Sequence, residues 1–413
     1  MYQQYIDYLN YFNIPIKLQE GYYWYDRGII KAFDRRGNLF PVVRILVQDD
    51  LSLNFKLYNN KYFKIESWED SYIRNKARLD IQIQQSLNIV LSAKKNYPNH
   101  LPRILTSGGK DSSVTSDIVN KVIPDSLSIF NNTTLDCADT YLHIKQDPNV
   151  VILTPEEGFY NWRERRNFVG NRLARACCDI FKESATIQLL DKDEKYLFFM
   201  GMRNSESTNR QNYTDYWKNT KWGERDWIAS LPIRHWTEEE IWLYIVGEHI
   251  PVNPKYCKGY GRVGCAIACP YYTKATWSLD KFWYPSMYNR WHNILTEDFI
   301  KNKKAPILNC TLDEYHLHWN GTGVREYATD EVIHDFACTQ NIDYEVAKKY
   351  FNKRCVCCNS RLKSLDVALS LKLYGRGIST FKCTKCIAKD FGVSVKELKE
   401  KANEYKEGGC SLF

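Results

Sequence analysis

Six consecutive residues, Ser107 to Ser112, have the composition of an anion-binding turn: two hydroxyls enclose Gly108, Gly109, Lys110 and Asp111. The segment Pro-Arg-Ile-Leu at 102–105 predicts a short buried strand before them, and a helix is predicted at 113–122. A strand-to-helix turn aims backbone N–H groups and the positive end of the helix at one point. We therefore expect a phosphate or pyrophosphate to bind here; the alternative is an ordinary Gly-Gly turn.

A second charged loop follows the predicted strand at 196–200. It carries Arg203, Glu206, Ser207 and Arg210. Arginine can bind phosphate or sulfate oxygens through two parallel hydrogen bonds, whereas lysine offers only a point charge. The loop is thus a second candidate for binding an anion, and a solvated charged loop is the alternative.

The fourteen cysteines fall mainly into two groups. In the later group, Cys355 and Cys358 form one Cys-x-x-Cys pair, and Cys383 and Cys386 form another. Two such pairs at this separation are typical of a closed, structural zinc site with four thiolate ligands. Cys357 is a spare thiol in this prediction.

The earlier group contains the adjacent cysteines Cys177 and Cys178, together with Cys257, Cys265 and Cys269. Adjacent cysteines are poorly placed for a mutual disulfide. They are also awkward as two ligands of one zinc, which usually takes pairs two to four residues apart. An iron–sulfur cluster, a zinc ion and free buried thiols all remain open from the residues alone.

Several of these motifs together resemble the phosphoadenylyl-sulfate (PAPS) reductase-like family of the adenine-nucleotide alpha-hydrolase superfamily. Ser-Gly-Gly-Lys-Asp-Ser at 107–112 is similar to the family's pyrophosphate loop, and 201–210 is similar to its Gly-x-Arg-x-x-Glu-Ser-x-x-Arg loop. A looser similarity covers 131–140, and the Trp-Thr to Pro-x-Asn-Pro run at 236–254 also resembles the family. The resemblance extends over roughly residues 100–275.

The resemblance implies an adenine-nucleotide site with Lys110, Asp111 and Arg203 at the reacting centre. The nucleotide-binding residues that it implies are Ser107, Gly108, Gly109, Lys110, Asp111, Ser112, Thr134, Arg203, Glu206, Ser207 and Arg210. Glu206 would bind a sugar hydroxyl, order an arginine or hold a metal such as Mg²⁺.

The earlier cysteine group resembles the Cys-Cys plus Cys-x-x-Cys set that holds a 4Fe-4S cluster in the family's reductases. The resemblance implies Cys177, Cys178, Cys265 and Cys269 as ligands, with Lys182 near the cluster. Here three residues, not two, separate Cys265 from Cys269. This departure leaves open whether Cys257 replaces one ligand or whether only three cysteines bind.

Two reactions are compatible with this resemblance. In the one that we favour, ATP is split between its α and β phosphates, an acceptor oxygen is adenylated, and sulfur displaces the adenylate. In the other, adenylyl sulfate or phosphoadenylyl sulfate is reduced to sulfite. The intact pyrophosphate loop favours ATP, and so does the absence of the reductase motif Glu-Cys-Gly-x-His around Cys410.

By analogy with related enzymes, the acceptor could be a nucleic acid and the sulfur donor a cysteine desulfurase. A net charge of +8 permits a polyanionic partner without demanding one. A protein of another class, which only senses or binds a nucleotide, is the remaining alternative.

The elements that must position these motifs alternate between strand and helix. Strands predicted at 102–105, 126–130, 150–153 and 196–200, with helices between several of them, indicate a doubly wound parallel α/β sheet. Ligands of such sheets bind at the carboxyl ends of the strands, where both candidate loops would lie.

Four segments are expected from the patterns: a β-rich N-terminal domain at 1–77, the nucleotide-binding domain at 78–300, a helical connector at 301–350 and a zinc domain at 351–413. A further helix is predicted at 78–95. Because there is neither an apolar run of eighteen residues nor a signal-peptide pattern, we expect a cytoplasmic protein that does not cross a membrane.

Overall fold

The N-terminal segment is β-rich, as the sequence predicts, and it forms one helix and an antiparallel sheet. Helix α1 (Gln3–Tyr11) is followed by strands β1 (Tyr23–Asp26), β2 (Ile29–Phe33), β3 (Leu39–Val47) and β4 (Leu53–Leu57), which pair in chain order. The hydrophobic core of this sheet also contains Tyr260 and Leu279 from much later in the chain. The boundary after residue 77 therefore stays a prediction.

The computed structural model describes residues 1–58, 64–167, 169–170, 176–206, 210, 212–218, 222–265, 267–301, 311–320, 334, 338, 344, 354–360, 362, 364–375, 378 and 380–407. The chain divides into two compact units, Met1–Trp291 and His292–Phe413. Within the described residues, no helix is both long enough and apolar enough to cross a membrane.

The second sheet has six strands in the order β7-β6-β5-β8-β10-β9. These strands are β5 (Leu101–Thr106), β6 (Ser128–Asn131), β7 (Val150–Leu153), β8 (Tyr196–Met200), β9 (Tyr216–Trp217) and β10 (Trp227–Ser230). Every neighbouring pair is parallel except β9 with β10. The doubly wound α/β fold is thereby confirmed, whereas β9 and β10 were not identified from the sequence.

The strand order reverses between β5 and β8. From β5 the chain runs outward through β6 and β7, and it then returns to place β8 on the other side of β5. Such a reversal opens a crevice at the carboxyl ends of the two strands, where doubly wound sheets bind their ligands. Ser107–Ser112 follows β5, and Gly201–Arg210 follows β8.

Helices precede, separate and follow these strands along the chain. They are α2 (Trp68–Asn96), α3 (Lys110–Asn120), α4 (Ala138–Lys145), α5 (Phe159–Arg166), α6 (Ala176–Cys178), α7 (Ser184–Leu189), α8 (Glu238–Gly247), α9 (Pro254–Cys257), α10 (Lys274–Trp283) and α11 (Pro285–Lys301). A π-helical turn, Asp179–Glu183, joins α6 to α7.

Two helix starts differ from prediction. Helix α2 begins at Trp68 rather than at residue 78, because the Ser67 hydroxyl caps it by accepting a hydrogen bond from the Asp70 N–H. Helix α3 begins at Lys110, three residues earlier than predicted, so Lys110 and Asp111 lie in its first turn. Helix α8 begins with a capping box formed by Thr237 and Glu240.

In the second unit the described helices are α12 (Leu312–His318), α13 (Ser364–Tyr374), α14 (Thr384–Phe391) and α15 (Val395–Glu407). Buried apolar side chains of the last three helices form one core that includes Leu369, Ile387 and Leu398. Helix α14 was not predicted. Most of the predicted helical connector, and also Cys410, lie outside the described residues.

Candidate nucleotide and metal sites

Hydroxyl groups hold the Ser107–Ser112 loop in shape. The Ser112 hydroxyl donates to the Gly109 carbonyl at 2.8 Å and accepts from the Ser107 N–H at 3.3 Å. The N–H of Lys110 donates to the phenol oxygen of Tyr256 at 3.0 Å. Gly108 has φ +67°, in the left-handed region that favours glycine. The predicted strand–turn–helix is therefore present, with α9 packed against it.

Four charged side chains meet beside this loop. Asp111 accepts from the Lys110 ammonium at 2.8 Å and from Arg203 Nε at 2.5 Å. Glu238, which was not predicted as a site residue, lies 3.3 Å from Lys110 Nζ and 2.5 Å from Arg203 Nη2. The crevice thus contains one ion-pair network that includes Lys110, Asp111 and Arg203. These are the three residues that the family resemblance implies at the reacting centre.

Burial and mutual attraction both act on the pKa values of this network. Burial alone would lower the pKa of Lys110, but Tyr256 and the carboxylates of Asp111 and Glu238 outweigh it and hold that pKa above its usual value. Burial would likewise raise the pKa of Asp111, but Lys110 and Arg203 lower it further than burial raises it. Lys110 and Asp111 therefore carry opposite charges at neutral pH.

The loop after β8 is folded around Arg203. Its N–H donates to Glu206 Oε2 at 2.9 Å, and its Nη1 donates to the Ser205 hydroxyl at 3.1 Å. Arg210 forms an ion pair with the same Glu206 carboxylate. Glu206 therefore pairs with the side chain of Arg210 and with the backbone of Arg203, and its expected roles toward a nucleotide or a metal stay predictions. Ser207 lies outside the described residues.

The loop after β6 forms hydrogen bonds with neighbouring elements. Thr134, at φ +58°, accepts a hydrogen bond from the Phe159 N–H at 2.7 Å through its hydroxyl, and so fixes the start of α5. Asn131 Nδ2 donates to the Lys182 carbonyl at 2.6 Å. Burial raises the pKa of Asp136, although two hydrogen bonds from Thr133 oppose this shift. The structure gives Thr134 a structural contact; its nucleotide-binding role stays a prediction.

The earlier cysteine group converges from two segments of the chain. The neighbouring thiols of Cys178, Cys265 and Cys269, together with burial, raise the pKa of Cys177, so the four thiols share one neighbourhood. Lys182 in the π-helical turn faces the same thiols: attraction to Cys265 is the largest effect on its pKa, which is raised although burial opposes it. π-Helical turns are frequent at functional sites.

The thiol of Cys257 lies in a different neighbourhood from the other four cysteines of this group. Apart from burial, the largest influence on the pKa of its thiol is the carboxylate of Glu20, and the N-terminal amine is close enough to oppose that influence. Its neighbourhood is thus that of Met1 and Tyr2.

Residues 102–270 match the family model described as the phosphoadenosine phosphosulfate reductase domain. They belong to this family. An uncharacterised protein of Methanocaldococcus jannaschii is 31% identical over 245 residues, which cover 57% of this chain and 58% of that protein. The chain thus spans just over half the length of the relative.

Two further similarities concern reductases. Adenosine 5'-phosphosulfate reductase of Halalkalibacterium halodurans is 28% identical over 202 residues, which cover 46% of this chain and 83% of that enzyme. The phosphoadenylyl-sulfate reductase of Candida auris, solved as a phosphate complex, has 18% identity and a TM-score of 0.34, with 46% of this chain and 95% of that chain covered.

The later cysteine group lies outside the reductase-family domain, in the second unit. The Sγ atoms of Cys355, Cys358, Cys383 and Cys386 all lie within 4.8 Å of one another, and this is the only such ligand group among the described residues. The Sγ atoms of Cys358 and Cys383 are 3.6 Å apart. Tetrahedral zinc with bonds of about 2.3 Å to sulfur requires sulfur atoms about 3.8 Å apart, so these residues fit a zinc ion.

Sequence reasoning missed three residues that shape the site of the reductase-family domain. Glu238 stands inside the 236–254 run that resembles the family, but nothing in a local pattern shows that it reaches Lys110. Gly201 opens the 201–210 loop, where no role was predicted for it, and Tyr256 lies outside the predicted motifs. A Cβ atom at Gly201 would lie 2.7 Å from the backbone of Asp111, so this glycine permits the close approach of β8 to α3.

Proposed function

We propose that this protein is a nucleotide-binding enzyme of sulfur metabolism that adenylates an acceptor and then transfers sulfur to it. The observation that carries the proposal is the convergence of Lys110 and Arg203 beside the Ser107–Ser112 loop, at the reversal between β5 and β8. Membership of residues 102–270 in the reductase family supports a nucleotide substrate. The name of the Halalkalibacterium relative supports sulfur chemistry.

In this proposal the loop and the two cations hold the pyrophosphate part of ATP. An acceptor oxygen attacks the α-phosphorus, the bond to the α–β bridging oxygen breaks, and pyrophosphate leaves with the electron pair. Lys110 and Arg203 stabilise the charge that develops on it. The Asp111 carboxylate holds both cations in place and, with Glu206, offers the oxygen ligands that Mg²⁺ prefers.

We further propose that Cys177, Cys178, Cys265 and Cys269 hold a 4Fe-4S cluster. Each cysteine of such a cluster binds a different iron, and these four cysteines come into one neighbourhood from two segments of the chain. Lys182 supplies a partly buried cation beside them. The position of Cys257 beside Glu20 supports the four-cysteine set without it. When bound, the cluster would supply redox chemistry or an iron that binds sulfur.

Reduction of an adenylyl sulfate to sulfite is the second candidate, because relatives carry the name of that reductase. The acceptor in the favoured reaction could be a nucleic acid, and the sulfur donor a cysteine desulfurase. A protein that binds a nucleotide without turning it over is the candidate from another class.

The deciding experiment uses the full chain, purified without oxygen. Iron, sulfide and zinc are measured per chain, and pyrophosphate release from ATP, with total tRNA as acceptor and a sulfide source, is compared with sulfite release from adenylyl sulfate. Pyrophosphate release that is lost in Lys110→Met supports adenylation. Sulfite release instead supports the reductase. ATP binding with neither product supports the binding protein.

The cluster is tested separately by iron content and the visible spectrum. Cys269→Ser should lose iron and sulfide, whereas Cys257→Ser, a matched change outside the proposed ligand set, should retain both. Iron loss in Cys257→Ser, or no iron in the unaltered protein after anaerobic reconstitution, would reject the four-cysteine assignment.

A further inference from the structure

One carboxylate covers both cations of the proposed nucleotide site. The side chains of Lys110 and Arg203 are only 6% and 5% exposed, whereas that of Glu238 is 45% exposed. Glu238 Oε1 lies 3.3 Å from Lys110 Nζ, and its Oε2 lies 2.5 Å from Arg203 Nη2. The two oxygens of a single anionic group therefore bridge the two cations on their solvent side.

The other carboxylate of the network has a different position. Asp111 belongs to the first turn of α3, directly after the Gly-rich loop, and its side chain is 17% exposed. Glu238 comes from the first residue of α8, which follows β10, and contacts the same cations from outside the loop. Asp111 is therefore a buried part of the loop structure, whereas Glu238 is the carboxylate that an anion from solvent would contact first.

The charges of the network cancel in this arrangement. Two cations and two carboxylates leave no net positive charge for a phosphate, and both cations already have anionic partners. A phosphate group could contact Lys110 and Arg203 together only by taking the place of the Glu238 carboxylate. The displaced carboxylate, already half exposed, would return to water at small cost.

We propose that Glu238 is an internal counter-anion that occupies the place of a ligand phosphate and is expelled when the ligand binds. This inference rests on the proposed nucleotide site and identifies the residue that regulates its occupancy. Glu238 weakens the binding of every ligand whose phosphate contacts both cations. It returns to the cations as pyrophosphate leaves and so favours product release.

The chain offers a close control for this idea. Glu239 is the next residue of α8, and Glu239→Gln removes the same charge from the same helical turn, whereas Glu238→Gln removes the contact with the two cations as well. A long-range electrostatic effect would act in both variants. Loss of the competing carboxylate, by contrast, would strengthen phosphate binding only in Glu238→Gln.

The experiment measures dissociation constants for pyrophosphate, ATP and adenosine by calorimetry in the unaltered protein and the two variants. Glu238→Gln should bind pyrophosphate and ATP about three- to fivefold more tightly, as expected for removal of one partly exposed competing ion pair. Its affinity for uncharged adenosine should not change, and pyrophosphate should dissociate more slowly. Glu238→Ala should repeat these results if Glu238→Gln folds poorly, with circular dichroism as the check.

Weaker or unchanged pyrophosphate binding in Glu238→Gln and Glu238→Ala would overturn the inference, because Glu238 would then merely hold the cations in place. An equal gain in Glu239→Gln would overturn it too. If the unaltered protein binds neither ATP nor pyrophosphate, the proposed function itself fails, and the inference fails with it. If ATP binds and only the variant effect is missing, the proposed function stands without the counter-anion.

Discussion

Gly201 lies against the backbone of Asp111. A Cβ atom at Gly201 would come within 2.7 Å of the Asp111 carbonyl carbon and oxygen, and within 2.9 Å of the Ser112 nitrogen. This contact packs the end of β8 directly on the first turn of α3. Because backbone atoms of a helix are on the other side, no side-chain rotation can make room for a larger residue.

Gly201→Ala should therefore separate the two loops of the candidate site. We expect the free energy of unfolding to fall by about 1–3 kcal/mol, as for other overpacked sites. Affinity for ATP should fall by about tenfold, because the loops must be held to within a fraction of an ångström to bind one ligand. Calorimetry and urea denaturation measure the two effects.

The control is Gly261→Ala, because a Cβ atom at Gly261 would have no other atom within 4 Å and this glycine is not in the left-handed region. It should bind ATP as the unaltered protein does. Equal losses in both variants would show that the close approach of Gly201 to α3 is not what maintains the site.

The two arginines of the loop after β8 should differ in importance. Arg203 is buried and contacts Asp111 and Glu238, whereas Arg210, at a more exposed position, has Glu206 as its one ion-pair partner among the described residues. Arg203→Lys leaves a single charged nitrogen where a planar guanidinium contacts two carboxylates. It should weaken ATP binding by about tenfold, equivalent to about 1.4 kcal/mol.

Arg210→Lys makes the same chemical change and serves as the control. Its ATP affinity should stay within about twofold of the original, because exposed ion pairs contribute little. A larger loss in Arg210→Lys than in Arg203→Lys would place the phosphate next to Arg210 and would contradict the site described above.

The sequence was sufficient for the fold class because the alternation of strand and helix is a local pattern. It was also sufficient for the Ser107–Ser112 loop, whose glycines and hydroxyls stand together. Strand β9 was missed because two residues, Tyr216–Trp217, are too few to show a periodicity. The start of α2 was missed because the predicted apolar face begins only at Leu79, after a mainly polar first segment.

The partners within the site could not be predicted in the same way. Glu238 meets Lys110 because the parallel sheet brings the start of α8 to the crevice, and 127 residues of intervening chain carry no local sign of that contact. Tyr256 is likewise far from the loop in sequence and reaches Lys110 only through the fold. Local patterns identify loops, whereas the pairing of charges across loops depends on topology.

The later cysteine group makes a prediction about metal binding. Cys358→Ser should abolish stoichiometric zinc binding and unfold the helices around Leu369 and Leu398, because structural zinc is a large part of the stability of such small sites. Zinc per chain is measured by mass spectrometry, and helix content by circular dichroism.

Cys357→Ser is the matched control, because Cys357 lies in the same turn but outside the ligand group. It should retain one zinc per chain. Loss of zinc in Cys357→Ser, or full zinc binding in Cys358→Ser, would contradict the assigned ligand set.

The buried carboxyl of Asp280 predicts a pH dependence of stability. It accepts a hydrogen bond from the Tyr260 hydroxyl at 2.6 Å, and its second oxygen has no hydrogen-bond partner among the described residues. Burial raises its pKa from the ordinary 3.8 to about 6, although the Lys255 ammonium opposes the shift. Between these two pH values the folded protein keeps a proton that the unfolded chain has lost.

The contribution of this carboxyl to stability is therefore fully present below about pH 4, falls as the pH rises to about 6, and is constant above that. Each pH unit in this window corresponds to about 1.4 kcal/mol. Relative to the unaltered protein, Asp280→Asn should thus gain up to about 3 kcal/mol between pH 4 and pH 7. Denaturation by urea at several pH values measures this difference, and exposed Asp193→Asn is the control. A difference that does not change with pH would mean that folding does not raise the pKa of Asp280.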